Sequence, residues 1–299
     1  MVDVGALVWL GFQLFEDIPY SDGGIMMAVN TDNKKKIKEL ILIIVASLAA
    51  VIIYHAAASG IERIVPDTFL SAFLAEAVFA VLTLVIVLAF KKTYIFKNDR
   101  TRLKSGWPSA GLLFVMMLFY LVMGLGNLID STATGQQWLL LLGHCVLIGF
   151  CEETLFRGLI QRQLHSIFKE DSFKHVFLAI TCTGVIFGLT HMINLTRGTA
   201  FLSVAFQAII NIFSGIYYCT VFYRVGKNLW FMVILHGVYD LIGLINQGRL
   251  NGTALGDVIA PQQITGKSFG FGVLVLGGLY LLASIFVLRP KKLISFISE

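Results

Sequence analysis

Eight apolar runs separated by short polar segments set the pattern of this chain. They cover roughly residues 38–59, 68–90, 108–129, 138–163, 175–194, 200–223, 228–246 and 270–288. Each is near the ~20 residues that a helix needs to cross ~30 Å of hydrocarbon. The pattern predicts an all-α fold, a polytopic transmembrane bundle of about eight helices. No internal repeat is visible and no loop is long enough for a second domain, so residues 34–292 read as a single transmembrane domain. The loop at 247–269 carries Gly252, Gly256, Pro261 and Gly266 and reads as irregular. Residues 1–33 read as an N-terminal extension and basic lead-in. Met1 to Tyr20 is broken by Glu16, Asp17 and Pro19 and lacks the basic start and cleavage site of a signal peptide. Met26 and Met27 stand just ahead of the lysine-rich lead-in, so translation is expected to begin at Met26.

Composition agrees with that class: 57% of the 299 residues are hydrophobic and 14% are charged, against about 25% charged in soluble domains. The net charge of +5 does not indicate nucleic acid, because the positive residues sit in short loops between spans. Eighteen of the 23 lysines and arginines fall on one side, including Lys34 to Lys38, Lys91 to Lys104, Arg224, Lys227 and Arg289 to Lys292. The other side has only Arg63, Arg197, Arg249 and Lys267, and Arg157 lies inside a span. The bias predicts a multi-pass cell-membrane protein with both termini cytoplasmic. The four cysteines, Cys145, Cys151, Cys182 and Cys219, lie in apolar runs without a C-x-x-C pair and read as buried thiols.

The candidate chemistry lies in the fourth run, in Gly149-Phe150-Cys151-Glu152-Glu153-Thr154-Leu155-Phe156-Arg157-Gly158. A charged residue at the centre of a membrane helix costs roughly 2.5–3.5 kcal/mol. Three in one span must therefore face protein or water, either as an ion-pair scaffold or as a functional site. Glu153 and Arg157 are spaced i, i+4 with the acid first, the favourable order for a pair on one helix. Glu152 points about 100° away and is free to face a cavity. The fifth run ends Phe187-Gly188-Leu189-Thr190-His191-Met192-Ile193-Asn194, and the seventh carries His236-Gly237-Val238-Tyr239-Asp240. His236 and Asp240 share a helix face. His191 lies ~25 Å from Lys174 by helical rise, deeper than its companions, which calls for a late-starting or tilted fifth helix. His55, Glu76, Asn127, His144, Gln207 and Asn211 are further polar residues in spans, without a partner motif.

Together these residues suit hydrolysis. Glu152 can act as general base on a water shared with His191. His236 and Asp240 can bind the developing oxyanion, provided they carry protons. Glu152, His191 and His236 also match in type a catalytic zinc set with an open position, although the spacing is not H-E-x-x-H. No serine adjoins the histidines, and Cys151 faces away from Glu152, so a nucleophilic mechanism fits less well.

Glu152-Glu153-x-x-x-Arg157, Phe187-x-x-x-His191 and His236-x-x-x-Asp240 resemble the ordered motifs of the CPBP family. These are the CAAX proteases and bacteriocin-processing enzymes, also called Abi-type intramembrane proteases. The resemblance covers residues 138–246. It implies an eight-helix fold with a cavity open toward the cytoplasm and a membrane-associated protein or peptide as substrate. It implies catalytic roles for Glu152, His191, His236 and Asp240, with Asp240 standing where the family often has Asn. Glu153, Arg157, Phe187 and Asn194 take supporting positions. It also implies either Zn2+ held by Glu152, His191 and His236 or a metal-free glutamate mechanism. The rival expectation is a non-catalytic immunity or partner-binding protein that keeps the polar cluster as scaffold.

Overall fold

The computed structural model describes residues 26–97, 102–251 and 266–289. The extension over residues 1–25 and most of the loop at 247–269 lie outside the described residues. Among the described residues the chain is helical and has no strand. Eight helices among the described residues are long and apolar enough to cross a membrane: Asp32–Ile64, Thr68–Ala89, Leu103–Met123, Gly135–Phe168, Phe173–Arg197, Phe201–Arg224, Leu229–Asn246 and Phe269–Val287. The protein is therefore a multi-pass, all-α membrane protein.

Side-chain caps fix where several spans begin. Asp67 accepts from the backbone N–H groups of Phe69 and Leu70 at the start of the second span. Thr134 and Gln137 form a reciprocal capping box at the start of the fourth. Ser172 caps the fifth and Asn228 the seventh. The fifth helix thus starts at Phe173, which rules out the late start that the depth of His191 suggested. The third span ends at Met123 rather than near 129, because Gly124 presses against the backbone of Asn246 and a short separate helix, Leu125–Ile129, follows.

The fourth span is the axis of the bundle. Its 34 residues would extend ~50 Å, more than hydrocarbon requires. Its end at Arg162–Phe168 is fastened on the lysine-rich side. Gln163 donates to the Glu39 carboxylate and the Lys36 carbonyl, and Arg162 donates to the Lys227 carbonyl at 2.6 Å. The span packs closely on the seventh. A Cβ on Gly149 would stand 2.5 Å from the Val233 carbonyl oxygen, and one on Gly237 would stand 3.0 Å from that of Cys145. Only glycine permits this approach, and it sets Glu152 and Glu153 beside His236. From Glu153 to Gln161 the fourth span is a π-helix and fully buried. Such segments are rare and frequent at functional sites. Within it each residue turns by less than in an α-helix, although the i, i+4 pair of Glu153 and Arg157 still forms.

Candidate active site

A cavity of about 520 Å³ opens into the bundle between the spans. Glu152, His191, His236 and Asp240 all line it, as do Arg157, Phe187 and Asn194. Glu153 does not. It lies behind the wall with no exposed surface.

The two adjacent glutamates have different surroundings. Glu153 Oε1 is 3.2 Å from Arg157 Nη1, and both side chains are fully buried. The same oxygen is 2.7 Å from His236 Nδ1. Glu152 has part of its carboxylate open to the cavity, with Oε2 3.6 Å from His236 Nε2. Asp240 Oδ2 approaches the same ring nitrogen, at 3.5 Å. The imidazole is thus anchored at one nitrogen and presents the other to two carboxylates on the cavity wall. Anchoring through Nδ1 fixes the ring orientation. The structure adds this link to the sequence-based expectation, which gave Glu153 only Arg157 as a partner.

Arg157 carries the rest of the packing. Its guanidinium lies 4.5 Å from the centroid of the Phe187 ring and 5.3 Å from that of Tyr218, a desolvated cation–π arrangement. Arg157 Nη2 also donates to the Gly215 carbonyl at 3.5 Å. Phe187 stands edge-on to His191, ring centroids 5.0 Å apart, and the His191 Nδ1 is 3.0 Å from the Phe187 carbonyl oxygen. That contact leaves Nε2 of His191 as the nitrogen available to the cavity. Asn194, almost fully buried, donates to Gln207 Oε1 at 2.9 Å and so ties the fifth span to the sixth.

Sequence reasoning left six membrane polar residues without partners, and five of them, His55, Glu76, His144, Gln207 and Asn211, line this same cavity. Asn127 instead donates to the Asn246 carbonyl. Glu76 is the most unusual of the five. It is buried in the second span, and its Oε2 has no hydrogen-bond partner among the described residues. Tyr218, which packs on His236 at 5.2 Å between centroids, also escaped the sequence reading, since nothing marks one tyrosine in an aromatic-rich span.

Among the described residues no group of three or more His, Cys, Asp or Glu side chains is arranged to hold a metal ion. His236 has Nδ1 committed to Glu153, and its Nε2 faces two carboxylates that meet no second imidazole in ligating geometry. Holding Zn2+ would require Glu152, His191 and His236 to close on one point from these positions, and no step below is routed through a metal.

Residues 134–242 match a protein family described as Rce1-like, type II CAAX prenyl endopeptidase Rce1-like. Over these residues, about a third of the chain, it is similar to the CAAX protease family. The match begins at the capping box of the fourth span and ends just beyond Asp240, so it takes in all three motif-bearing spans. No curated protein and no solved structure matches. That likeness spans the residues around the cavity and makes the cavity the candidate functional site.

Proposed function

We propose that this protein is an intramembrane endopeptidase in which Glu152 activates a water for attack on a substrate carbonyl. One observation carries the reading. Of two adjacent glutamates, one is consumed by a buried pair with Arg157 and by His236, whereas Glu152 is left on the wall of a cavity beside that histidine. A scaffold has no use for the second carboxylate.

In this mechanism Glu152 takes a proton from water held between it and His191. The resulting hydroxide attacks the carbonyl carbon, and the carbonyl electrons move onto oxygen. His236, protonated at both nitrogens, keeps Nδ1–H on Glu153 and offers Nε2–H to that oxyanion. Protonated Asp240 supplies a second donor. Collapse of the intermediate breaks the C–N bond, and Glu152 returns its proton to the leaving amine. Glu153 is a positioning residue here, since it acts through His236. Arg157 and Phe187 act one step further out, by holding Glu153 and His191.

The substrate on this reading is a protein or peptide associated with the bilayer. The test compares cells producing wild-type protein with cells producing Glu152→Gln and reads new peptide termini by proteomics. Termini that depend on Glu152 support the reading. Identical sets of termini would leave the non-catalytic alternative, an immunity or partner-binding protein with a scaffold of ion pairs.

A further inference from the structure

The cavity has a direction. Its wall takes residues from the middle of the spans toward one end of them, and among the described residues only two lining side chains are exposed, Glu62 and Gln247. Glu62 stands at the end of the first span and Gln247 just past the end of the seventh. Arg197, at the end of the fifth, lines the cavity beside them and donates from Nε to His55 Nδ1 at 3.0 Å. Spans one, five and seven run the same way through the membrane, so these ends share one face. It is the face of Arg63, Arg197 and Arg249, the face poor in lysine and arginine.

The opposite end is closed. Phe156, Arg157, Phe187, Tyr218 and Tyr280 line the cavity bottom and are each at most 5% exposed. Beneath them the π-helical segment is fully buried, with Leu155, Leu159 and Ile160 at 2% or less. Further on come the lysine-rich loops, where Glu39, Lys92, Gln163 and Arg162 bind the helix ends together. Water reaches Glu152 and His236 from the mouth at Glu62 and Gln247 and is excluded from the lysine-rich side. Lysine and arginine accumulate in the loops that stay in the cytoplasm.

We propose that the cavity opens on the non-cytoplasmic face of the membrane. Its substrate is then a polypeptide presented from that face: a juxtamembrane segment of an exported protein or a secreted peptide, rather than a cytoplasmic prenylated tail. The mouth suits an extended peptide backbone, since it offers both signs of charge and amide side chains in Glu62, Arg197, Asn246 and Gln247. The direction reverses the cytoplasmic opening that the family resemblance implied. The choice of substrate rests on the proteolytic reading above, whereas the direction of opening does not.

The experiment separates the two. Single cysteines are placed at Gln247 and, as a second mouth position, at Glu62, in full-length protein in intact cells. A third goes at Lys97, exposed in a lysine-rich loop. A membrane-impermeant maleimide is applied, with wild-type protein giving the background of the native cysteines. The expected result is labelling of Q247C and E62C at least ten-fold above K97C in intact cells, with K97C reacting only after lysis. Labelling of K97C in intact cells, with both mouth positions reacting only after lysis, overturns the proposal whether or not the protein is a protease. Glu152-dependent cleavage confined to cytoplasmic tails overturns the substrate half even if the mouth labels from outside.

Discussion

A single oxygen, Oε1 of Glu153, binds Arg157 Nη1 at 3.2 Å and His236 Nδ1 at 2.7 Å. One buried carboxylate thereby couples a charge in its own helix to a ring in another span. Removing Arg157 leaves Glu153 as a buried charge that has lost its cation, a loss of roughly 3–5 kcal/mol for a fully buried pair. Arg157→Ala should lower the melting temperature in detergent along with activity. The double variant Glu153→Met, Arg157→Leu leaves no unpaired charge and should recover most of the folded yield. It should not recover cleavage, because His236 still lacks its anchor. Cleavage by the double variant at wild-type rate would show that the Glu153–His236 contact is dispensable.

Glu152 should behave in the opposite way. It lies on the cavity wall and outside the Arg157 pair, so Glu152→Gln should melt within a degree or two of wild type. Loss of the general base should cost ~10²–10⁴-fold in cleavage rate. Melting curves and peptide cleavage on the same preparation check both halves. A stable, inactive Glu153→Gln beside an unstable Glu152→Gln would exchange the two roles.

Chelation gives a third test. The proposed mechanism draws its proton transfers and oxyanion donors from Glu152, His191, His236 and Asp240, so cleavage should survive exhaustive treatment with a zinc chelator. Metal analysis of the same sample supplies the control. Activity lost on chelation and restored by Zn2+ alone would bring back the metal set of Glu152, His191 and His236.

The approach of the fourth and seventh spans is testable at Gly149. The alanine Cβ would meet the Val233 carbonyl oxygen at 2.5 Å, so the helices must separate. Overpacking of this kind typically costs 1–3 kcal/mol. Gly149→Ala should lower the melting temperature and reduce cleavage beyond what the stability loss explains, because the separation also moves Glu152 from His236. Unchanged activity would mean that the site tolerates a wider spacing.

Much of the molecule could be read from its sequence, and the failures have physical causes. Eight spans follow from apolar length, since the bilayer sets one requirement that each run meets separately. The Glu153–Arg157 pair follows from helical spacing and forms inside one element. Contacts between spans carry no such local signature. Nothing in the sequence says that Glu153 reaches the ring of His236, or that Glu76 shares a cavity with Glu152; only His144, two turns before Glu152 on the same face, hinted at a shared cavity. The π-helix over Glu153–Gln161 was equally invisible, because its residues are ordinary for an α-helix and the wider turn answers to packing. Gly149 and Gly237 were the available hints, as residues whose missing side chains allow close approach.

The internal spacing of the Glu153–Arg157 pair also bears on how the chain enters the membrane. Arg157 finds its other described neighbours on later spans: Phe187 on the fifth, then Gly215 and Tyr218 on the sixth. His236, which shares Glu153, comes later still. During synthesis the fourth span reaches the bilayer before any of these exist. At that moment Arg157 has one of its final partners within its own helix, four residues upstream. An intrahelical pair lets these two charges be inserted as a nearly neutral unit. An equivalent pair split between spans would expose each charge to lipid until the second helix arrived.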